Sequence, residues 1–190
     1  MISHPWGEEI ARRLRATDIV PHPRTVYFTL AEELCSMAAS YRDDGEYFLS
    51  IGDTTNALAA FSYAMGWLDE ASCLGLVTIG VSEKQWLFSH VPVPVTESGR
   101  LEEKVERYGT MLSAALANVS CVTEGGTCIR GASDRILCAC HVLKGFGNLF
   151  RSAGRPENAL GSYSYAHAWL DAGVRAGLFC VVGRHELFAV

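Results

Sequence analysis

The sequence predicts an all-α protein made of two copies of one three-helix unit. Three observations carry this reading. The stretch Gly52–Val77 returns 102 residues later as Gly154–Phe179, with 12 of 26 positions identical and no gap, too many for unrelated helices. Small and apolar residues recur in both copies at steps of three and four, the spacing of one helix face. Glycines, a proline and short polar residues stand where helices stop and start.

The elements follow in order. A short opening helix is expected at Trp6–Ala16. A long second helix is expected at Thr29–Ile51, with Thr29 and Glu32 as a capping box. Gly52 ends it by taking the left-handed turn cheaply, and Asp53 caps the next helix. In that third helix Ala57, Phe61, Ala64, Leu68 and Ala71 form a seam that lets a neighbour come close. Tyr63 and Trp67 form a second apolar stripe, so the helix is buried on most of its circumference and lies at the centre of its unit. Residues 78–98 read as a loop, and Val91-Pro-Val-Pro-Val95 is extended because proline bars helix there. The boundary falls in this segment, giving copies 1–95 and 96–190.

The second copy opens with a helix at Leu101–Val119, where Leu101, Val105, Tyr108, Leu112 and Leu116 line one side. Residues 120–132 read as a loop around Gly125-Gly126. The next helix is expected at Ser133–Ala153, capped by Ser133 or Asp134 and stopped by Gly154. Pro156 suits the first turn of the last helix, since no amide partner is lost there. Its seam is Ala159, Tyr163, Ala166, Leu170 and Gly173, with Tyr165 and Trp169 as the second stripe. The apolar tails Trp86–Val91 and Glu186–Val190 read either as strands or as extended segments laid on the bundle. Because both copies keep the Tyr-Trp stripe, the units are expected to pack side by side about a pseudo-two-fold axis through a shared surface.

Composition narrows the function classes. Hydrophobic residues make up 49% of the chain and charged residues 19%, enough to build a core. The net charge is −5, and the most basic stretch, Arg12, Arg13 and Arg15, is diluted by Glu8, Glu9 and Asp18. It reads as a solvated helix face, and no nucleic-acid surface is expected. No apolar run is long enough to span a bilayer and the N-terminus lacks the pattern of a signal peptide, so a cytoplasmic location is expected. Seven cysteines, an odd number, argue against a disulfide framework.

The small and aromatic positions of a tetratricopeptide repeat are met at Gly45, Phe48, Gly52, Ala57, Phe61 and Ala64, yet the copies recur after 102 residues, so the likeness is one of helix-hairpin packing. A closer resemblance is to the small archaeal helical family catalogued as domain of unknown function 357. It is carried by Tyr41-Arg-Asp-Asp-Gly-Glu-Tyr-Phe-Leu-Ser-Ile-Gly-Asp53 and by Phe61-Ser-Tyr-Ala-Met-Gly-Trp-Leu-Asp69. In the second copy, Glu103-Lys-Val-Glu-Arg-Tyr108 and Tyr163-Ser-Tyr-Ala-His-Ala-Trp-Leu-Asp-Ala-Gly173 carry it. Leu143-Lys-Gly-Phe-Gly147 departs from it by losing the acidic residues of Tyr41–Gly45. The resemblance implies an up-and-down three-helix bundle in each copy and an archaeal source. It implies no activity.

The candidate site residues come from the repeated block. Tyr63, Trp67 and Asp69 return as Tyr165, Trp169 and Asp171, with His167 in place of Met65. As a ligand site, the aromatics are walls and the carboxylate orients a polar group. As packing, Tyr and Trp at a step of four form a patch, and Asp171 pairs on the helix surface with Arg175. His167, answered by an apolar residue, reads as a satisfied or exposed histidine. Cys121, Cys128, Cys138, Cys140 and His141 resemble a metal cluster but lack a Cys-x-x-Cys knuckle, so no metal and no cofactor are expected. Arg135 and His141 have the spacing used by some helical ribonucleases, without a basic RNA surface around them.

No phosphate loop, dinucleotide fingerprint or nucleophile elbow is present. The leading expectation is a non-enzymatic interaction or scaffold module, with a protein partner or a homodimer. The alternative is a small-ligand-binding or metal-dependent hydrolytic protein using the Tyr-Trp-Asp patch. An open pocket joining Asp69 or Asp171 to the aromatics distinguishes the second from the first.

Overall fold

The computed structural model describes residues 5–80 and 93–189. It is almost entirely helical, as two three-helix bundles in tandem. The first comprises α1 (Pro5–Arg15), α2 (Val26–Ser50) and α3 (Thr54–Cys73); the second comprises α4 (Ser98–Ala117), α5 (Cys128–Ser152) and α6 (Pro156–Arg175). Gly52 and Gly154 stop α2 and α5 in the left-handed conformation, at φ 76° and 68°. Asp53 caps α3 by accepting from the Asn56 amide at 3.0 Å, and Pro156 stands in the first turn of α6.

The long helices start earlier than their sequence suggests. Thr25 caps α2, accepting from the Phe28 amide, and Thr127 caps α5, accepting from the Arg130 amide. Thr29, Ser133 and Asp134 therefore sit inside helices and do not cap them. Ser133 is buried and its hydroxyl lies 3.1 Å from the Ile129 carbonyl and 3.2 Å from that of Leu178. A serine bonded back to its own helix satisfies the same polar pattern as a cap.

The connecting segments also hold short strands. β1 (Asp18–Ile19) pairs antiparallel with β2 (Val77–Thr78), and β3 (Val119–Cys121) with β4 (Phe179–Val181). Each ladder ties the end of a bundle's opening helix to the end of its closing one. Two or three residues are too few for a period-two pattern to show. Leu187 closes a 3-10 turn at His185–Leu187, and Phe188 follows in extended, buried form, so the second tail lies on the bundle without joining a sheet. The counterpart tail Trp86–Val91 and the start of the Val91–Val95 segment lie outside the described residues.

The 102-residue correspondence extends well beyond the repeated block. Trp6, Gly7 and Ile10 of α1 answer to Tyr108, Gly109 and Leu112 of α4. An added Cβ on Gly45 would meet the Phe61 ring, one on Gly7 the Glu46 carboxylate and then that ring, and one on Gly109 or Gly147 the Tyr163 ring. Each copy is thus plugged by one aromatic ring against two glycines.

The copies join through α3 and α6. Trp67 shares a buried cluster with Ala168 and Ala172 of the other copy, and Trp169 packs into one with Leu74. Glu97 adds a link by accepting from the Thr54 and Thr55 amides at 3.2 and 2.9 Å, which caps α3 from the start of the second bundle. No helix among the described residues is long and apolar enough to cross a membrane.

Candidate functional site

Where α3 crosses α6, the two copies exchange one hydrogen bond in each direction. Tyr63 donates its phenol to Asp171 Oδ2, and Tyr165 donates to Asp69 Oδ2 at 3.0 Å. Each bond runs between copies. Tyr63 and Trp67 still form an edge contact with ring centroids 6.1 Å apart, and Tyr165 and Trp169 are 6.0 Å apart. The tyrosine and the aspartate of one helix, however, serve opposite sites. The surface pair predicted between Asp171 and Arg175 does not form. Asp171 is 1% exposed, and Arg175 reaches Glu33 at 3.4 Å instead.

On one side of the crossing lies an open cleft of about 420 Å³. From the first copy, α2 contributes Tyr41, Asp44 and Phe48, and α3 contributes Asn56, Ala59, Ala60 and Tyr63. From the second, α4 contributes Tyr108 and Met111, α6 contributes His167 and Asp171, and the tail Glu186–Ala189 closes one edge. The Tyr41 ring stands edge-on to Tyr63 at 4.4 Å between centroids. Of the predicted site residues, Tyr63, His167 and Asp171 line this cleft. Tyr165 and Asp69 meet across the crossing, and Trp67 and Trp169 belong to the packed interior.

The electrostatics are set by burial. Removal from water pushes the Asp171 carboxyl well above the usual carboxylate range, opposed by the Ala189 backbone. Its Oδ1 has no hydrogen-bond partner among the described residues. His167 is 7% exposed, and burial pushes its pKa down, opposed by the Leu187 carbonyl. Its Nε2 lies 2.7 Å from that carbonyl, which only accepts, so Nε2 carries a proton, and burial disfavours the charged ring. Nε2 is 3.9 Å from Asp171 Oδ1, too long for a hydrogen bond. Burial likewise raises Tyr41 and Tyr108, which stay as neutral phenols. The cleft thus offers neutral rings, phenols and one buried carboxyl, an arrangement suited to holding a polar group. Among the described residues its lining holds no nucleophile beside a free base.

The opposite side of the crossing is filled. Asp69, whose carboxyl burial pushes up, is met by Arg13 Nη1 at 2.9 Å. Arg13 Nε is in turn 3.3 Å from Glu9 Oε1. Sequence reasoning set this arginine aside as a solvated face. Its signal was the 102-residue comparison, in which Arg13 answers to Ala115 and Glu9 to Met111. Glu70 was also missed. It is 0% exposed, both its carboxylate oxygens lack partners among the described residues, and burial pushes its pKa to about 8.

The other candidates do not assemble. Cys140 is buried against the Ala166 carbonyl, while Cys128 and Cys138 are exposed. No group of three or more metal-ligating side chains forms among the described residues. Arg135 turns toward Cys73, and His141 is exposed away from the cleft lining.

The chain matches the family described as a protein of unknown function, DUF357, over residues 6–77 and again over 107–179. No curated protein and no solved structure matches it.

Proposed function

The chain belongs to the DUF357 family, twice in tandem, and since that family brings no activity with it, we infer from the site alone that this is a small-ligand-binding protein whose site is the cleft between its copies. The observation that carries the reading is Asp171. Its Oδ1 is buried and has no hydrogen-bond partner among the described residues, on a side chain that lines an open cleft beside Tyr63 and His167. A buried polar atom without a partner costs on the order of 1–3 kcal/mol, a cost that a ligand removes on binding. The cleft's size and its mix of apolar wall with few converging polar groups are those of small-molecule sites. Binding is favoured over hydrolysis because the lining holds no activated nucleophile among the described residues.

The interaction-module reading keeps one specific observation, the exposed stripe Val142, Phe146 and Leu149 on α5. It explains neither Asp171 nor the cleft. A homodimer is not needed, since the α3 and α6 faces that a dimer of single copies would use are buried within this chain. A cytoplasmic location is supported by seven free thiols, which suit a reducing compartment.

Native mass spectrometry of protein purified from cells under mild conditions tests the reading. A small-molecule adduct on the wild type that is lost in Asp171→Asn supports it. Bare polypeptide mass for both, combined with unchanged Asp171 and His167 resonances in the presence of cell extract, overturns it.

A further inference from the structure

This inference rests on the cleft being a ligand site and names the chemistry it takes. The 102-residue offset sets Asp171 and Asp69 side by side as two versions of one site. In both, Oδ2 takes a phenol from the opposite copy. At Asp69, Oδ1 takes the Arg13 guanidinium at 2.9 Å, and Glu9 holds that guanidinium on its other side. At Asp171, Oδ1 takes nothing among the described residues, because position 13 is answered by Ala115 and position 9 by Met111. Met111 lines the cleft. The cleft therefore opens beside the counterpart of Glu9, next to a carboxyl that has no counterpart of Arg13.

We propose that the cleft binds a ligand carrying a positively charged nitrogen group, an amine, amidine or guanidine, which sits on Asp171 Oδ1 as Arg13 sits on Asp69 Oδ1. The rest of the lining agrees. Its acidic side chains are Asp44, Asp171 and Glu186, and no Lys or Arg lines it among the described residues. Lys104 and Arg107 lie against the Tyr108 ring at 5.5 and 5.7 Å, outside the lining. Tyr41, Tyr63 and Tyr108 line the cleft as well, and aromatic rings and phenol oxygens attract a cation. Filled by a cation, Asp171 has an ion-pair partner and ceases to be an isolated buried carboxyl.

The test is isothermal calorimetry of the full chain with three probes of one shape: benzamidine, benzamide and benzoate. Wild-type protein is expected to bind benzamidine about tenfold or more tightly than either of the others, the ratio one charge-assisted pair supplies. Asp171→Asn, isosteric and uncharged, is expected to erase that preference. The variant Met111→Arg places a guanidinium in the cleft lining and is expected to shut benzamidine out, with a melting curve confirming its fold. Equal binding of benzamide or benzoate overturns the cation assignment and leaves the cleft standing as a ligand site. Failure of all three probes to bind also overturns the assignment, and the cell-derived adduct then decides separately whether the cleft takes any ligand.

Discussion

Gly66 and Ala168 are the same position in the two copies, and they meet. A Cβ on Gly66 would lie 2.6 Å from the Cβ of Ala168 and 2.7 Å from the Tyr165 carbonyl oxygen. A residue that touches its own counterpart marks the pseudo-two-fold axis, as in an isologous dimer. The reciprocal bonds Tyr63–Asp171 and Tyr165–Asp69 flank it.

Gly66→Ala is expected to destabilise the protein by about 1–3 kcal/mol, because the obstructing oxygen is backbone and cannot swing away. This outweighs the gain of about 1 kcal/mol that alanine brings to a helix. Gly145→Ala is the control. That glycine is in α5 with nothing near its Cβ, and the substitution is expected to stabilise by about 0.5–1 kcal/mol. Urea unfolding of both variants checks the opposite signs.

Much of this arrangement was legible. The duplication, the helix stops at Gly52 and Gly154 and the buried seams follow from spacing alone. The caps were misplaced because Thr29 and Ser133 satisfy the same local pattern as the true caps, Thr25 and Thr127. The site was half legible. Tyr63, His167 and Asp171 stand in the repeated block, but the sequence groups Tyr63 with Asp69 and Tyr165 with Asp171 as one patch in each copy. Crossing α3 over α6 exchanges those partners, which no one-dimensional pattern reveals. Tyr41 and Tyr108 join the site from other helices for the same reason.

Glu70 makes stability depend on pH. Its pKa rises from 4.5 to about 8 on folding, so the folded protein keeps a proton that the unfolded chain releases between those values. The fold is unburdened by this group below pH 4.5 and loses on the order of 5 kcal/mol as pH climbs through the folded value. Position 172, its counterpart, is alanine. Glu70→Gln is expected to match the wild type near pH 5 and exceed it by a few kcal/mol near pH 8.5, read by denaturant midpoints. A pH-independent difference between the two contradicts this.

Arg13→Ala strips the cation from Asp69. The expected cost at neutral pH is roughly 1–3 kcal/mol, since both side chains are mostly buried. The deficit shrinks in acid, where Asp69 takes up a proton. The variant is also expected to gain a second site, so that guanidinium or benzamidine at millimolar concentration restores part of its melting temperature. Equal thermal shifts for the variant and wild type would argue that no such vacancy opens.

Binding of a cation at Asp171 requires that its raised carboxyl ionise. Affinity for benzamidine is therefore expected to rise with pH and to release a proton, measured by calorimetry in buffers of different ionisation heat. The titratable groups facing the site are Tyr41 and Asp44 on α2, Tyr63 on α3, Tyr108 on α4, His167 on α6 and Glu186 on the tail. His167 charges only in acid, where it repels a cation, so it acts in the same direction.

The most direct test of the account is the titration of Asp171 itself, followed through its side-chain carboxyl carbon by NMR with and without benzamidine. The account predicts a midpoint well above the ordinary carboxylate range in the free protein and a fall toward that range when benzamidine is added. An ordinary midpoint in the free protein, or one that benzamidine leaves unmoved, contradicts it.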